Sequence, residues 1–183
     1  MIVVGLTGGI AGGKTTVAEA LRREGAAIID TDEIAREITA PGSPALDEIA
    51  AAFGRDILAD DGTLDRKRLG SLVFSRAQAR RRPQPPAVVI VVIPLLYESG
   101  AERDVEVVVV VTAPPEEQVR RLMARDGLSR DEAQARVFAQ MPTQEKARRA
   151  DFVIDASGSI EETRSQAAKL WPRLAGLAQK PLS

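Results

Sequence analysis

The sequence predicts an α/β sandwich built on a parallel sheet, and three observations carry that expectation. Short runs rich in Val and Ile alternate with stretches of helical spacing, as strand–helix–strand units do. Two of these runs, Val88–Ile93 and Val105–Thr112, are apolar nearly throughout, the second broken only by Glu106 and closed by Thr112, the pattern of a strand covered on both faces. A glycine-rich turn, Gly8 to Gly13, stands between an apolar strand and a helix-forming stretch. In chain order the strands are Ile2–Thr7, Ala26–Asp30, Val88–Ile93, Val105–Thr112 and Phe152–Asp155. Val17-Ala18-Glu19-Ala20-Leu21 begins the helix after the glycine-rich turn, and Val119, Leu122 and Met123 share the face of another. Ser129 with Glu132 and Ser159 with Glu162 have capping-box spacing, so a helix starts at each. Ile160, Ala167, Leu170, Trp171, Leu174 and Leu177 mark a long C-terminal helix, with Pro172 as a point of kinking.

Composition removes several chemistries. The 183 residues suffice for one domain with a buried core. There is no Cys, so disulfides and thiolate metal sites are excluded, and no His, so histidine bases and ligands are excluded too. With 25 basic and 26 acidic residues and 3% aromatics, neither a global basic field nor stacking platforms for nucleic acid are expected. Ile2–Leu6 lacks a preceding basic region and runs into the glycine turn, unlike a signal peptide. The longest apolar run, Ala87–Ile93, is far short of the roughly 20 residues of a membrane helix. These features predict a cytoplasmic location. The Arg- and Pro-rich stretch Arg76–Pro86 reads as an exposed linker before the third strand, with basic-patch binding as the alternative.

Gly8-Gly9-Ile10-Ala11-Gly12-Gly13-Lys14-Thr15 matches G-x-x-x-x-G-K-[ST] at every fixed position. Glycines let the backbone wrap closely around phosphate oxygens, and successive N–H groups with a helix N-terminus supply partial positive charge. Gly8, Gly9, Ala11, Gly12, Gly13, Lys14, Thr15 and Thr16 are therefore the candidate nucleotide-binding residues, Lys14 reaching the outer phosphates and Thr15 offering a hydroxyl to Mg²⁺. Asp30-Thr31-Asp32 closes the second strand, where ligands bind in parallel sheets. One carboxylate suits Mg²⁺, the other the proton of an acceptor hydroxyl; alternatively Asp32 caps a helix starting near Glu33. Arg36 lies one turn on, toward the same side as Asp32. The segment Glu116–Arg149 is rich in Arg, which suits either a mobile lid over a transferring phosphoryl group or a solvated helix face.

Taken together, these motifs resemble the dephospho-CoA kinase family. Thr7-Gly8-Gly9-Ile10 with Gly13-Lys14-Thr15-Thr16 is similar to its N-terminal signature. Asp30-Thr31-Asp32 with Ala35-Arg36, Gly62-Thr63-Leu64-Asp65-Arg66, and Ile93-Pro94-Leu95-Leu96-Tyr97-Glu98 follow. Arg121–Ser129 with Arg136 and Gln140-Met141-Pro142 resembles the lid, and Ala150–Asp155 the last strand. The resemblance implies a P-loop kinase three-layer sandwich with a five-stranded parallel sheet and a helical lid at about 116–149. It implies a single domain over 1–183, with its core at 1–40 and 87–183 and an acceptor-side helical region at about 41–86. The activity implied is transfer of the ATP γ-phosphoryl group to the ribose 3′-hydroxyl of dephospho-CoA, with Mg²⁺. Lys14, Asp32 and Arg136 would be catalytic, Arg136 reaching the phosphates from the lid. Asp32 and Arg36 would meet the acceptor, and Thr15 and Asp30 the metal. Other readings are a P-loop kinase for a different small molecule and a catalytically silent ATP binder.

The chain departs from the family pattern in three places. Arg80-Arg81-Arg82 runs into Pro83 where members carry a helical stretch with a His-Pro pair, so that about twenty residues are absent by comparison. Val92 stands where many members have Asp, and Ala156 where they have Asn.

Overall fold

The computed structural model describes residues 1–31 and 87–179. Asp32, Glu33, Arg36, the 41–86 region and the Arg76–Pro86 cluster lie outside the described residues. The chain forms two compact units, Met1–Ile29 with Pro86–Ser183, and Asp30–Pro85.

Five strands make one sheet: β1 Ile2–Gly8, β2 Ala27–Asp30, β3 Val88–Val92, β4 Val107–Thr112 and β5 Phe152–Asp155, in the order β2-β3-β1-β4-β5. β1 pairs in parallel with β3 (Ile2 opposite Val88) and with β4 (Val4 opposite Val107), and β4 pairs in parallel with β5. The first-made strand is thus central. Side chains alternate across a strand. Ile2, Val4 and Leu6 enter a core with Val88, Ile90, Val92, Val107, Val109 and Val111, sealed by Val17 and Leu21 of α1 (Lys14–Glu24) and by Ala167, Leu170 and Leu174 of the C-terminal helix. The opposite face of β4 presents Val108 and Val110 to Leu96 and Tyr97 of the loop after β3.

The helices α2 (Pro115–Asp126), α3 (Arg130–Phe138) and α4 (Thr143–Arg148) follow β4, and α5 (Ile160–Ala178) follows β5. Both expected capping boxes form: Ser129 caps α3 with Glu132, and Ser159 caps α5 with Glu162. α5 continues through Pro172. The carbonyl deprived of a donor there is that of Ala168, an exposed residue, so solvent meets it. Ile160 differs from its expected place on the buried face: it is 60% exposed, while Thr163, one turn on, is buried. Among the described residues no helix is long and apolar enough to cross a membrane.

Candidate active site

The central strand β1 delivers the glycine-rich loop to the carboxyl edge of the sheet, where strand order reverses and ligands bind in open α/β sheets. The loop turns on a hydrogen bond from the Gly12 N–H to the Gly9 carbonyl, 3.1 Å. Ala11 (φ 53°) and Gly13 (φ 95°) adopt left-handed conformations. Ala11 is the one non-glycine with positive φ among the described residues. Alternation of this kind turns successive N–H groups inward as an anion-binding nest, and Gly13 is also the N-cap of α1, so the helix dipole adds to it. Lys14 Nζ donates to the carbonyls of Gly8 (3.2 Å) and Gly9 (2.9 Å), which holds the ammonium across the loop. Thr15, in the first turn of α1, is exposed, and Thr16 is half-buried.

The loop is braced by the helices that follow β4. Ile10 and Ala11 pack against Val119 and Leu122 of α2 and Ala133 and Val137 of α3. The Ile10 N–H donates to Gln140 Oε1 at 2.9 Å. Gln118 is buried and donates through Nε2 to the Ala113 carbonyl (2.8 Å) and Thr143 Oγ1 (3.2 Å). An added methyl at Gly9 would stand 2.0 Å from Gln118 Oε1. Gly9→Ala therefore overpacks the floor of the loop, at a cost of about 1–3 kcal/mol. That is expected to lower Tm by roughly 2–10 °C and to raise the KM for ATP. Thermal unfolding with parallel ATP titrations checks both.

Two arginines of this region, Arg136 and Arg121, have distinct surroundings. Arg136 lies on α3 with its side chain 54% exposed, and its Nη1 is 3.8 Å from Asp126 Oδ2. Arg125 also pairs with Asp126. Arg121 is the residue set against the phosphate loop. Its Nε reaches Glu117 at 2.7 Å and its Nη2 the Ala156 carbonyl at 2.7 Å. Its Nη1 lies 4.0 Å from the position of a Cβ on Gly13. Hydrogen bonds from Arg120 lower the Glu117 carboxyl; burial opposes them and Arg121 adds to them, leaving it at about 2. The Ala156 methyl stands 3.0 Å from where a Cβ on Gly13 would lie, so a side chain at Gly13 would be crowded there. Asp30 ends β2, half-buried. Among the described residues no group of three or more His, Cys, Asp or Glu side chains is placed to hold a metal ion.

The sequence offers Glu98 as a further acidic candidate but does not distinguish Lys146. Lys146 on α4 is fully buried, and its Nζ lies 2.8 Å from Glu98 Oε1 and 2.9 Å from the Pro94 carbonyl. Glu98 also accepts the Met141 N–H at 3.1 Å. Burial pushes the Glu98 carboxyl up, but its bonds to Lys146 and to backbone amides outweigh this and set it below the ordinary value. Gln140 appeared only as part of a motif. No local signal separates Lys146 from its charged neighbours, because its partners lie about fifty positions away.

Comparison with known proteins accounts for this combination. The family model described as dephospho-CoA kinase matches residues 2–83 and 76–162. A Geobacter sulfurreducens protein named dephospho-CoA kinase is 45% identical, covering 94% of this chain and 98% of its own. A crystal structure from Thermus thermophilus is 37% identical with TM-score 0.63, covering 92% of this chain and 96% of that one. The structure of dephospho-CoA kinase from Campylobacter jejuni is 29% identical with TM-score 0.54, covering 95% and 97%. The family match breaks in two around Arg80–Pro83. The Geobacter alignment runs over 194 residues although it uses 94% of a 183-residue chain, so about twenty of its positions face no residue here. With the phosphate loop, its lysine, its lid helices and matches across nearly the whole length, the chain belongs to the dephospho-CoA kinase family.

Proposed function

We propose that this chain transfers the γ-phosphoryl group of ATP to the ribose 3′-hydroxyl of dephospho-CoA, with release of ADP. The observation that carries the reading is the 45% identity, across 94% of the chain, to a protein of that name. The phosphate loop supports it. Its inward N–H groups and the α1 N-terminus suit the β- and γ-phosphates, and Lys14 Nζ exchanges the Gly8 and Gly9 carbonyls for phosphate oxygens.

The acceptor oxygen bonds to the γ-phosphorus as the bond to the bridging oxygen breaks, and the hydroxyl proton passes to the acceptor-side base. The family resemblance gives that base to Asp32 and acceptor contact to Arg36. It gives phosphate contact from the lid to Arg136, and the position of Arg121 against Gly13 makes it a second cation for the nucleotide. Mg²⁺ fits the exposed Thr15 hydroxyl, with Asp30 as the acidic residue near the strand end. When bound, it would neutralise charge on the phosphate oxygens. The α2–α4 region acts as the lid that excludes water during transfer. The composition, without cysteine, suits a cytoplasmic setting.

The test is incubation with ATP, Mg²⁺ and dephospho-CoA, with the product read by mass. An acceptor heavier by one phosphoryl group, formed in step with ADP, is the expected result. ATP binding without such a product overturns the reading.

A further inference from the structure

The segment Gln140–Lys146, where the lid returns to the core, is fastened at both ends. At one end, Gln140 Oε1 takes the Ile10 N–H of the phosphate loop at 2.9 Å. At the other, the loop after β3 holds it. Glu98 accepts from the Met141 N–H at 3.1 Å and pairs with the Lys146 ammonium at 2.8 Å, while Lys146 also donates to the Pro94 carbonyl at 2.9 Å. Thr7 of β1 donates to the same Pro94 carbonyl at 3.1 Å. Lys146 is fully buried and the Glu98 side chain is 25% exposed.

A buried ion pair is a poor source of stability. Apolar residues of similar volume commonly do as well, whereas removing one partner strands a charge. What the pair supplies here is geometry. It binds two carboxylate oxygens to two points on the lid root, one on each side of Pro142. Gln140, one residue before Met141, carries that fixed position to the phosphate loop.

We propose that Glu98 and Lys146 are positioning residues that latch the root of the lid, so that Gln140 sets the Ile10 amide of the phosphate loop in place for transfer. The inference rests on the kinase reading for its catalytic consequence but not for its structural one. A latched lid root keeps the lid helices in register with the loop. A loose one lets water reach the γ-phosphate and misplaces the reacting atoms, where errors of about 1 Å cost on the order of 100-fold in rate.

The decisive variant is the double replacement Glu98→Leu with Lys146→Met in the full chain. It leaves no stranded charge, and Thr7 still satisfies the Pro94 carbonyl. The single variant Lys146→Met is run beside it. The expected result is a folded double variant with ATP affinity within about threefold of the parent and kcat lowered by about 10- to 100-fold. More than one ADP is expected per phosphorylated acceptor. Amide hydrogen exchange is expected to quicken at Ile10 and Met141. Unchanged exchange at those two amides overturns the latch. So does a folded double variant with kcat within twofold of the parent. So does a loss that is equal in ATP affinity and in kcat. If the parent phosphorylates no dephospho-CoA, the kinase reading falls, and the exchange rates at Ile10 and Met141 still decide the latch.

Discussion

Lys14→Ala is expected to abolish measurable turnover with the fold intact. Its ammonium donates to the loop's own carbonyls, Gly8 and Gly9, in the bonds given above, and its side chain is not part of the buried apolar core. The core is therefore expected to survive its removal, since no buried apolar contact of that cluster is lost. Its absence would be felt when negative charge builds on the transferring group. Loss of one preorganised donor of this kind costs about 10²–10³ in kcat, and here the donor also carries a full charge. Steady-state ADP release, paired with a thermal melt of the same sample, checks both halves. Retained activity would remove the phosphate loop from the mechanism.

Asp32→Asn is the second large effect. A positioned carboxylate that accepts the acceptor's proton contributes about 10²–10⁴-fold. Asparagine keeps the shape and removes the basicity, so kcat should fall by that order while ATP affinity, measured by calorimetry, changes little. A parallel loss of both would move Asp32 from the proton to the metal or to the capping of its helix.

The sheet and its helices were legible because their signals are local. Val88–Val92 and Val107–Thr112 are apolar without a break, Ser129 and Ser159 each meet a glutamate three residues on, and the glycine-rich loop fits one spacing. Ile160 misled because the buried stripe of its helix starts at Thr163, a polar residue that a reading of apolar spacing passes over. The braces of the site were not legible. Gln140 meets Ile10 across 130 positions, and Lys146 meets Glu98 across 48. A lysine in a run of charged residues reads as solvated until its distant carboxylate is seen. Arg121 and Arg136 both belong to the lid motif, but only the structure shows that Arg121 lies against Gly13 while Arg136 pairs with Asp126.

The central place of β1 has a bearing on how the chain is made. The two strands it pairs with start at Val88 and Val107, more than eighty residues downstream of Leu6. At about 5–20 residues per second, the ribosome leaves Ile2–Leu6 without either edge partner for several seconds. During that interval the nascent chain carries an uncharged, β-prone segment with open edges, the kind of segment that chaperones shield and that otherwise seeds aggregation. Closure of the sheet around β1, and with it the shaping of the phosphate loop, must wait until Val107–Thr112 has left the tunnel.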